Sequence, residues 1–465
     1  MVPLPKAKQV ATHFAPDGDG VFATAMAGTR YRHIPMLPAI FLPAGDLSLE
    51  EVKRHESAGT VFFDVGGELA GRDHHGGKEK ISATRLVARE IGLTDVRLRS
   101  LLDFVDANDQ SGKNFRFQIA NGSEVHEAGD LLVNSIIRGA SNVRFSPFKQ
   151  TITNEQRVKS FQRLVRLATL VIHRLGMADR GASFSHDARV LLQHSLVQAI
   201  ARTLELPEPQ RFDNFQSLLR YIDRLHVRKY GEEARDYSCR EDLMFSPYIQ
   251  MMSVEPLKLI ILDGNKQPVT NPDDRWLAES LTLFGISQQL VVEEKIPLPI
   301  KLAILKDCWL NLFAYQADWL LALSDLANGG VQYNQEVKGW RVMAIASDCA
   351  RIGPASRHKC QQNPFKASVT IAIRPSGHVQ ITCVPQRHLV AKIKAAGVEL
   401  RRAEAAKRGL TVTSAELQLE EKLSVFWYTA PFGGLFNGSL TQPLVEPTKL
   451  SLSEIFQIVC QALAA

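Results

Sequence analysis

One histidine and two carboxylates stand close together near the start of the chain, in Thr12-His13-Phe14-Ala15-Pro16-Asp17-Gly18-Asp19-Gly20. They follow a short apolar run at residues 9–12 that reads as a strand, so they fall in the turn at its end. Three more groups of the same kind follow. Asp64 closes the β-branched and aromatic run of residues 60–65, and after it come Asp73-His74-His75 and Asp106-Ala107-Asn108-Asp109. Alternate carboxylates in a loop can face different cations, and an imidazole adds a borderline-soft nitrogen. Mixed His and Asp ligands suit manganese or a similar first-row ion better than calcium. Two such ions about 3.5–4 Å apart can clamp a phosphoryl group and activate a water between them. Asp64, alone at its strand end, is the natural bridging carboxylate. Taken singly, each group has a plainer reading, since Asp-Gly-Asp-Gly is commonly a turn and a lone aspartate often ends a strand. Their recurrence, each time at an expected element end or turn, is what argues for a metal centre.

The elements that must hold these groups follow from the surrounding pattern. Residues 1–150 alternate short apolar runs with helical patterns at 21–27, 82–91 and 98–107. Strands alternating with helices imply a parallel sheet with ligands at the carboxyl ends of its strands. From Thr153 the texture changes. Thr153-Asn154-Glu155-Gln156 fits a capping box, and Val158, Phe161, Leu164, Val165, Ala168, Val171, Ile172 and Leu175 follow at helical spacing, closed by Gly176. Further helical patterns cover 187–204, 215–225 and 302–326, with a loop at 264–272. After Gly339 strands return, and 369–373 and 379–384 flank Arg374-Pro375-Ser376-Gly377-His378 as a hairpin. A basic helix at about 387–407 and a glycine-rich loop at 432–438 complete the chain. The expected fold is α/β: a parallel-sheet metal-binding domain at 1–150, a mainly helical region at 151–335, and a C-terminal α/β domain at 336–465 with a basic substrate-binding surface.

Composition narrows the class. With 45% apolar and 22% charged residues over 465 positions, the chain is globular rather than disordered, collagen-like or coiled-coil. The most apolar stretch, 308–327, is interrupted by Asp318 and Asp325, and the first residues lack an apolar signal core. Six scattered cysteines without a C-x-x-C pair argue against a zinc ribbon or disulfide scaffold, and the expected location is the cytoplasm. Residues 1–150 carry 18 basic and 18 acidic residues, whereas 351–409 carry 12 Lys/Arg against only Glu399 and Glu404. Such an excess suggests a polyanion-binding surface, with a solvated helix face as the competing reading. Arg351, Arg357, His358, Lys359 and Arg374 are its candidate phosphate contacts. The helical region offers no chemistry. Trp309 and Trp319 lie on apolar faces and read as core, and Ser183-Phe184-Ser185-His186-Asp187 reads as a loop and helix cap, since triads are assembled from distant positions.

His-x-x-x-Asp-Gly-Asp followed by Asp-His-His resembles the DHH phosphoesterase superfamily, and the finer resemblance is to its Myg-type exonuclease branch. Asp64-Val65-Gly66-Gly67, Asp73-His74-His75, Ser82-Ala83-Thr84-Arg85-Leu86-Val87 and Asp106-Ala107-Asn108-Asp109-Gln110 follow that branch's motifs in order and spacing, over about residues 9–112. The sequence departs from the branch at Thr84-Arg85 and in lacking Asn-Gly after the fourth motif. The resemblance implies a two-metal, Mn²⁺-dependent phosphodiesterase, with Mg²⁺ or Co²⁺ as substitutes. His13 and Asp17 would bind one ion, Asp19 and His74 the other, with Asp64 bridging. Asp109, or alternatively Asp106, would complete the site, His75 would face the substrate, and Asp73 would orient a histidine. Gly433-Gly434 with Asn437-Gly438 resembles the glycine-rich end of the branch, with a surface turn as the competing reading. The expected activity is that of a nuclease on short or single-stranded nucleic acid, with no membrane partner. Hydrolysis of a small phosphate (a cyclic or linear dinucleotide, or pyrophosphate) and a nucleic-acid-binding or sensor role without turnover are the alternatives.

Overall fold

β1 (Gln9–His13) is buried on both faces from Val10 onward because both are covered. After it come α1 (Gly18–Arg30), β2 (Ala39–Leu42), α2 (Leu49–Ser57) and β3 (Thr60–Phe62), and the three strands form a parallel sheet in the order β2-β1-β3. Val10 pairs with Ala39 on one side and Val61 on the other, so β1 lies at the centre. Val10, Val61 and Phe63 pack in one core with α1, whereas Ala11, Phe62 and Val65 pack with Val52 of α2 on the opposite face. β2 is missing from the sequence reading because its four residues lie in a proline-rich stretch that resembles a loop.

The computed structural model describes residues 2–44, 47–73, 81–93, 95–111, 114–121, 124–128, 133–141, 152–176, 186–203, 205–209, 217, 218, 221, 224, 228, 258–265, 267–293, 295–328, 330–357, 365–418, 426–429, 434–438 and 445–465. Two compact units divide the chain, Met1–Leu42 with Asp46–Gln316 and Pro43–Gly45 with Ala317–Ala465.

In the first unit α1 is buried from Asp19 through Ala27. Its alanines and glycines leave room for neighbours on several sides, and at Gly28 a Cβ would stand 2.4 Å from the Pro35 ring. α3 (Ala83–Glu90) and α4 (Arg99–Ser111) follow, then an antiparallel sheet of β4 (Arg116–Asn121), β5 (Glu124–Ala128) and, much later, β6 (Lys258–Leu262). α5 (Val133–Ala140), α6 (Asn154–Gly176), α7 (His186–Thr203), α8 (Pro272–Ser280), α9 (Leu283–Val292) and, as far as Gln316, α10 (Leu298–Ala327) supply the helices. α6 starts as its sequence dictates. The Thr153 hydroxyl accepts from the Gln156 N–H at 3.2 Å, and the Gln156 side-chain oxygen accepts from the Thr153 N–H at 2.9 Å. Its stripe of Phe161, Leu164, Ala168 and Val171 shares one core with Val10, Phe22 and Trp309, so these helices belong to the unit that contains the parallel sheet.

The second unit is a mixed sheet in the order β11-β12-β10-β9-β8-β7. Its elements are β7 (Val331–Val337), β8 (Trp340–Ala346), α11 (Ile352–Arg357), β9 (Val369–Ile373), β10 (Val379–Cys383), α12 (Arg387–Arg408), α13 (Ser414–Gln418), β11 (Tyr428–Thr429), β12 (Leu435–Asn437) and α14 (Leu452–Ala464). β8 and β9 run parallel, and the expected β9–β10 hairpin closes on an Arg374 N–H donating to the His378 carbonyl at 2.9 Å. β7 is an edge strand whose middle residues are exposed and polar, so no hydrophobic alternation marks it in the sequence. The architecture is thus α/β. No helix among the described residues is long and apolar enough to cross a membrane. Cys308, Cys349, Cys383 and Cys460 are free thiols.

Candidate metal centre

His13 is the last residue of β1 and is buried. Asp17 caps α1 across the turn: its Oδ1 accepts from the Asp19 N–H at 2.8 Å and the Gly20 N–H at 3.4 Å. With one oxygen fixed by the helix, the other turns back toward the strand end, and Oδ2 lies 3.9 Å from His13 Nε2. Asp64 Oδ2 lies 3.2 Å from the same nitrogen. One ligand atom from each of His13, Asp17 and Asp64 falls within 4.8 Å of the other two. His13 and Asp64 are buried and Asp17 is exposed, so the cluster is open on the Asp17 side.

Asp64 reaches this position because β3 stops at Phe62, three residues before the sequence pattern suggests. Asp64 itself adopts φ +57°, a left-handed conformation that aspartate tolerates better than most residues. The following loop is tied back on itself. The Asp64 N–H donates to the Arg72 carbonyl at 3.1 Å, and the Gly67 N–H donates to Asp73 Oδ2 at 2.7 Å. Gly66, at φ +99°, has no room for a side chain, since a Cβ would stand 2.8 Å from that of Ala70. Arg72 anchors the loop's far end through two bonds to Glu90, at 2.5 and 2.6 Å. The first turn of α1 closes over Asp64, where a Cβ on Gly20 would stand 3.5 Å from Asp64 Oδ2. The amino-terminal end of a helix favours negative charge at that spot.

The acidic groups around Asp64 oppose one another. Burial holds the Asp64 carboxyl well above the usual range, and the charges of Asp17, Asp19, Asp73 and Asp109 push it further the same way. Asp19 is pushed up to about 7, first by burial and then by Asp17, against hydrogen bonds from Thr84 and Ala83 that favour its ionised form. His13, Asp17 and Asp64 could hold a metal ion, whose charge would relieve the repulsion.

The other sequence candidates separate by their partners. Asp19 lies outside the three-residue cluster and joins α1 to α3. Its Oδ2 accepts from the Ala83 N–H at 2.7 Å, and its Oδ1 from the Thr84 N–H at 2.8 Å and hydroxyl at 2.6 Å. Asp106 accepts from the Ser82 N–H at 2.9 Å and pairs with Arg85 at 2.5 Å. Asp109, one turn further along α4, is among the charges that act on Asp64, as Asp73 is. His74, His75, His358, Lys359 and Gly433 lie outside the described residues.

In the second unit Arg351 and Arg374 lie about Cys349, while Arg357 donates to the Thr382 hydroxyl at 2.7 Å beside Cys383. Burial lowers the pKa of both Arg357 and Arg374. Gly434 directly precedes β12, and the buried Asn437 amide is engaged inside the fold. It donates to the Phe426 and Glu446 carbonyls and accepts from the Thr448 N–H, at 2.7, 3.0 and 2.8 Å. Much of the charge on α12 is compensated locally: Arg402 pairs with Glu399, Lys407 with Glu454, and Arg408 with Glu404 and Glu446. Arg401 donates to the Leu417 and Trp427 carbonyls. The 399/402 and 404/408 spacings were visible in the sequence as helical ion pairs. Thr84 and Glu90, which fix Asp19 and the Asp64 loop, carried no such signal.

No protein-family model matches the chain, and no curated protein matches it.

Proposed function

We propose that the chain is a metal-dependent phosphoesterase of the DHH type that hydrolyses phosphodiester bonds in short or single-stranded nucleic acid. The observation that carries this reading is the convergence of His13, Asp17 and Asp64 at the carboxyl ends of β1 and β3. These are the three positions that the sequence resemblance assigns to one ion. The donor set suits Mn²⁺, with Mg²⁺ or Co²⁺ as substitutes. Asp19, His74 and Asp109 would hold a second ion, and Asp19 also accepts hydrogen bonds from Ala83 and Thr84 that fix its carboxylate in place. When bound, such ions supply Lewis-acid charge to the phosphoryl oxygens and lower the pKa of the attacking water. The protein's own part is orientation. The cap at α1 aims the Asp17 oxygen, the Asp73–Gly67 bond steadies the Asp64 loop, and the amino-terminus of α1 favours an incoming phosphate. His75 is the proposed donor of a proton to the leaving oxygen.

Asp109 and Asp106 are separable. Asp109→Ala is expected to lower metal-dependent turnover by on the order of 10²-fold, as loss of a metal-orienting carboxylate does. Asp106→Ala breaks the pair with Arg85, is expected to cost about 1 kcal/mol of stability, and should leave turnover within a few-fold. Steady-state rates at saturating Mn²⁺, read beside thermal melts, check both. Equal losses in the two variants would remove Asp109 from the centre.

Hydrolysis of a small phosphate is the second reading. It is favoured by the internal pairing of the α12 cations, which leaves less charge to hold a long backbone. The test is hydrolysis of end-labelled RNA and DNA oligomers, a dinucleotide and pyrophosphate, with Mn²⁺ or EDTA, beside an Asp17→Ala/Asp64→Ala variant. Mn²⁺-dependent cleavage that vanishes in the variant supports the reading, and the product ladder identifies the substrate. Cleavage of pyrophosphate alone would favour the second reading, and no cleavage of any substrate would defeat both.

A further inference from the structure

α5 lies along the loop that carries Asp17, and its docking there is accounted for without its first turn. Just past the helix end, the Ser141 hydroxyl donates to the Pro16 carbonyl at 2.9 Å. Gly139 allows a close approach to α10, since a Cβ there would stand 1.9 Å from the Asn311 carbonyl oxygen. Asn134 in the first turn is different. It is only 5% exposed, and its shielded Oδ1 has no hydrogen-bond partner. That oxygen lies over the first residue of α1, 2.7 Å from the position a Cβ on Gly18 would take. Gly18 adjoins Asp17 of the metal cluster.

A buried amide oxygen without a partner is costly and rare, so its retention asks for a ligand. Asparagine offers an acceptor and two donors, and the two ends of the amide exchange by a flip. A nucleotide presents the complement of both: phosphate oxygens accept, and sugar hydroxyls donate. Inorganic phosphate or pyrophosphate complements only the donor side. Arg138, four residues on and the exposed residue of α5, adds a cation on the same side of the helix. We propose that Asn134 is a substrate-contacting residue that holds a nucleotide unit, phosphate and sugar hydroxyl together, beside the amino-terminus of α1. The identity of the ligand rests on the phosphoesterase reading.

Calorimetric titration of the full-length, Mn²⁺-loaded protein with adenosine monophosphate tests this. Asn134→Ala is expected to weaken adenosine monophosphate binding about tenfold or more, leave Mn²⁺ affinity unchanged, and leave the metal-free Tm unchanged or raised. Gly18→Ala, whose Cβ collides with the amide, is expected to weaken the same binding with Asn134 still present. Inorganic phosphate, titrated in parallel, is expected to lose less affinity than the nucleotide. Unchanged nucleotide affinity in Asn134→Ala, or a lowered Tm with lost Mn²⁺ affinity, would overturn the proposal, the latter by assigning Asn134 a structural role. A wild-type protein that binds no nucleotide also overturns it. Nucleotide binding that depends on Asn134 in a protein that cleaves nothing upholds the proposal while the phosphoesterase reading falls; cleavage with nucleotide binding indifferent to Asn134 does the reverse.

Discussion

Asp17→Asn is expected to abolish metal-dependent turnover while leaving the fold intact. The two oxygens of Asp17 have separate duties: Oδ1 caps α1, and Oδ2 faces His13 and Asp64. Asparagine keeps an acceptor for the Asp19 and Gly20 N–H groups, so the cap survives. The atom turned toward the cluster becomes an uncharged NH₂ that cannot ligate a cation. If the ion supplies several kcal/mol of charge stabilisation in the transition state, its loss lowers turnover by on the order of 10³-fold. Asp17→Ala removes the cap as well and should cost about 1 kcal/mol more in stability. Mn²⁺ titration, turnover and thermal melts on the two variants separate these effects. An Asp17→Asn protein that binds Mn²⁺ and turns over like wild type would remove Asp17 from the metal centre.

Stripped of divalent ions, the protein is expected to lose stability as pH rises from about 4 toward 8. Asp19 in the fold titrates near 7 and Asp64 is also raised, whereas both titrate near 3.8 in the unfolded chain. Between those values the folded state holds protons that the unfolded state has released. Rising pH therefore favours unfolding, and the slope ends once the folded-state pKa is passed. For Asp19 alone the difference corresponds to on the order of 4 kcal/mol above pH 7. Mn²⁺ supplies the missing positive charge, so the stabilisation it confers should be large at pH 8 and small at pH 5. Asp64→Asn removes one buried charge and should raise the metal-free Tm at pH 8 while Mn²⁺ binding is lost. Melts at the two pH values, in EDTA and in Mn²⁺, decide it. A metal-free protein more stable at pH 8 than at pH 5 would show that these carboxylates are not in conflict.

The charge of the C-terminal segment shows how composition can mislead. Twelve cations against two glutamates over 351–409 suggested an open basic surface. At least five of those on α12 are engaged within the unit instead, partly by Glu446 and Glu454, which lie beyond the counted stretch. A local charge count does not see partners supplied from elsewhere in the chain.

What the sequence by itself determined is local. It showed the strand over residues 9–12, the turn that spaces His13, Asp17 and Asp19, the capping box at Thr153, the hairpin at Arg374 and the basic helix of α12. Each rests on hydrogen bonds or side-chain periods within a few residues, so neighbouring residue types suffice to specify it. What the tertiary structure decided is which carboxylate faces which partner. In the sequence Asp19 stood beside Asp17 as a potential ligand, and Asp106 was the alternate to Asp109. Asp19 lies outside the three-residue cluster and is fixed by Ala83 and Thr84 of α3, more than sixty residues away, and Asp106 meets Ser82 and Arg85. The early end of β3, the left-handed turn at Asp64 and the partnerless amide oxygen of Asn134 likewise depend on what packs against them. A carboxylate's role is set by the donors and charges within a few ångströms of its oxygens, and in this fold those come from distant parts of the chain.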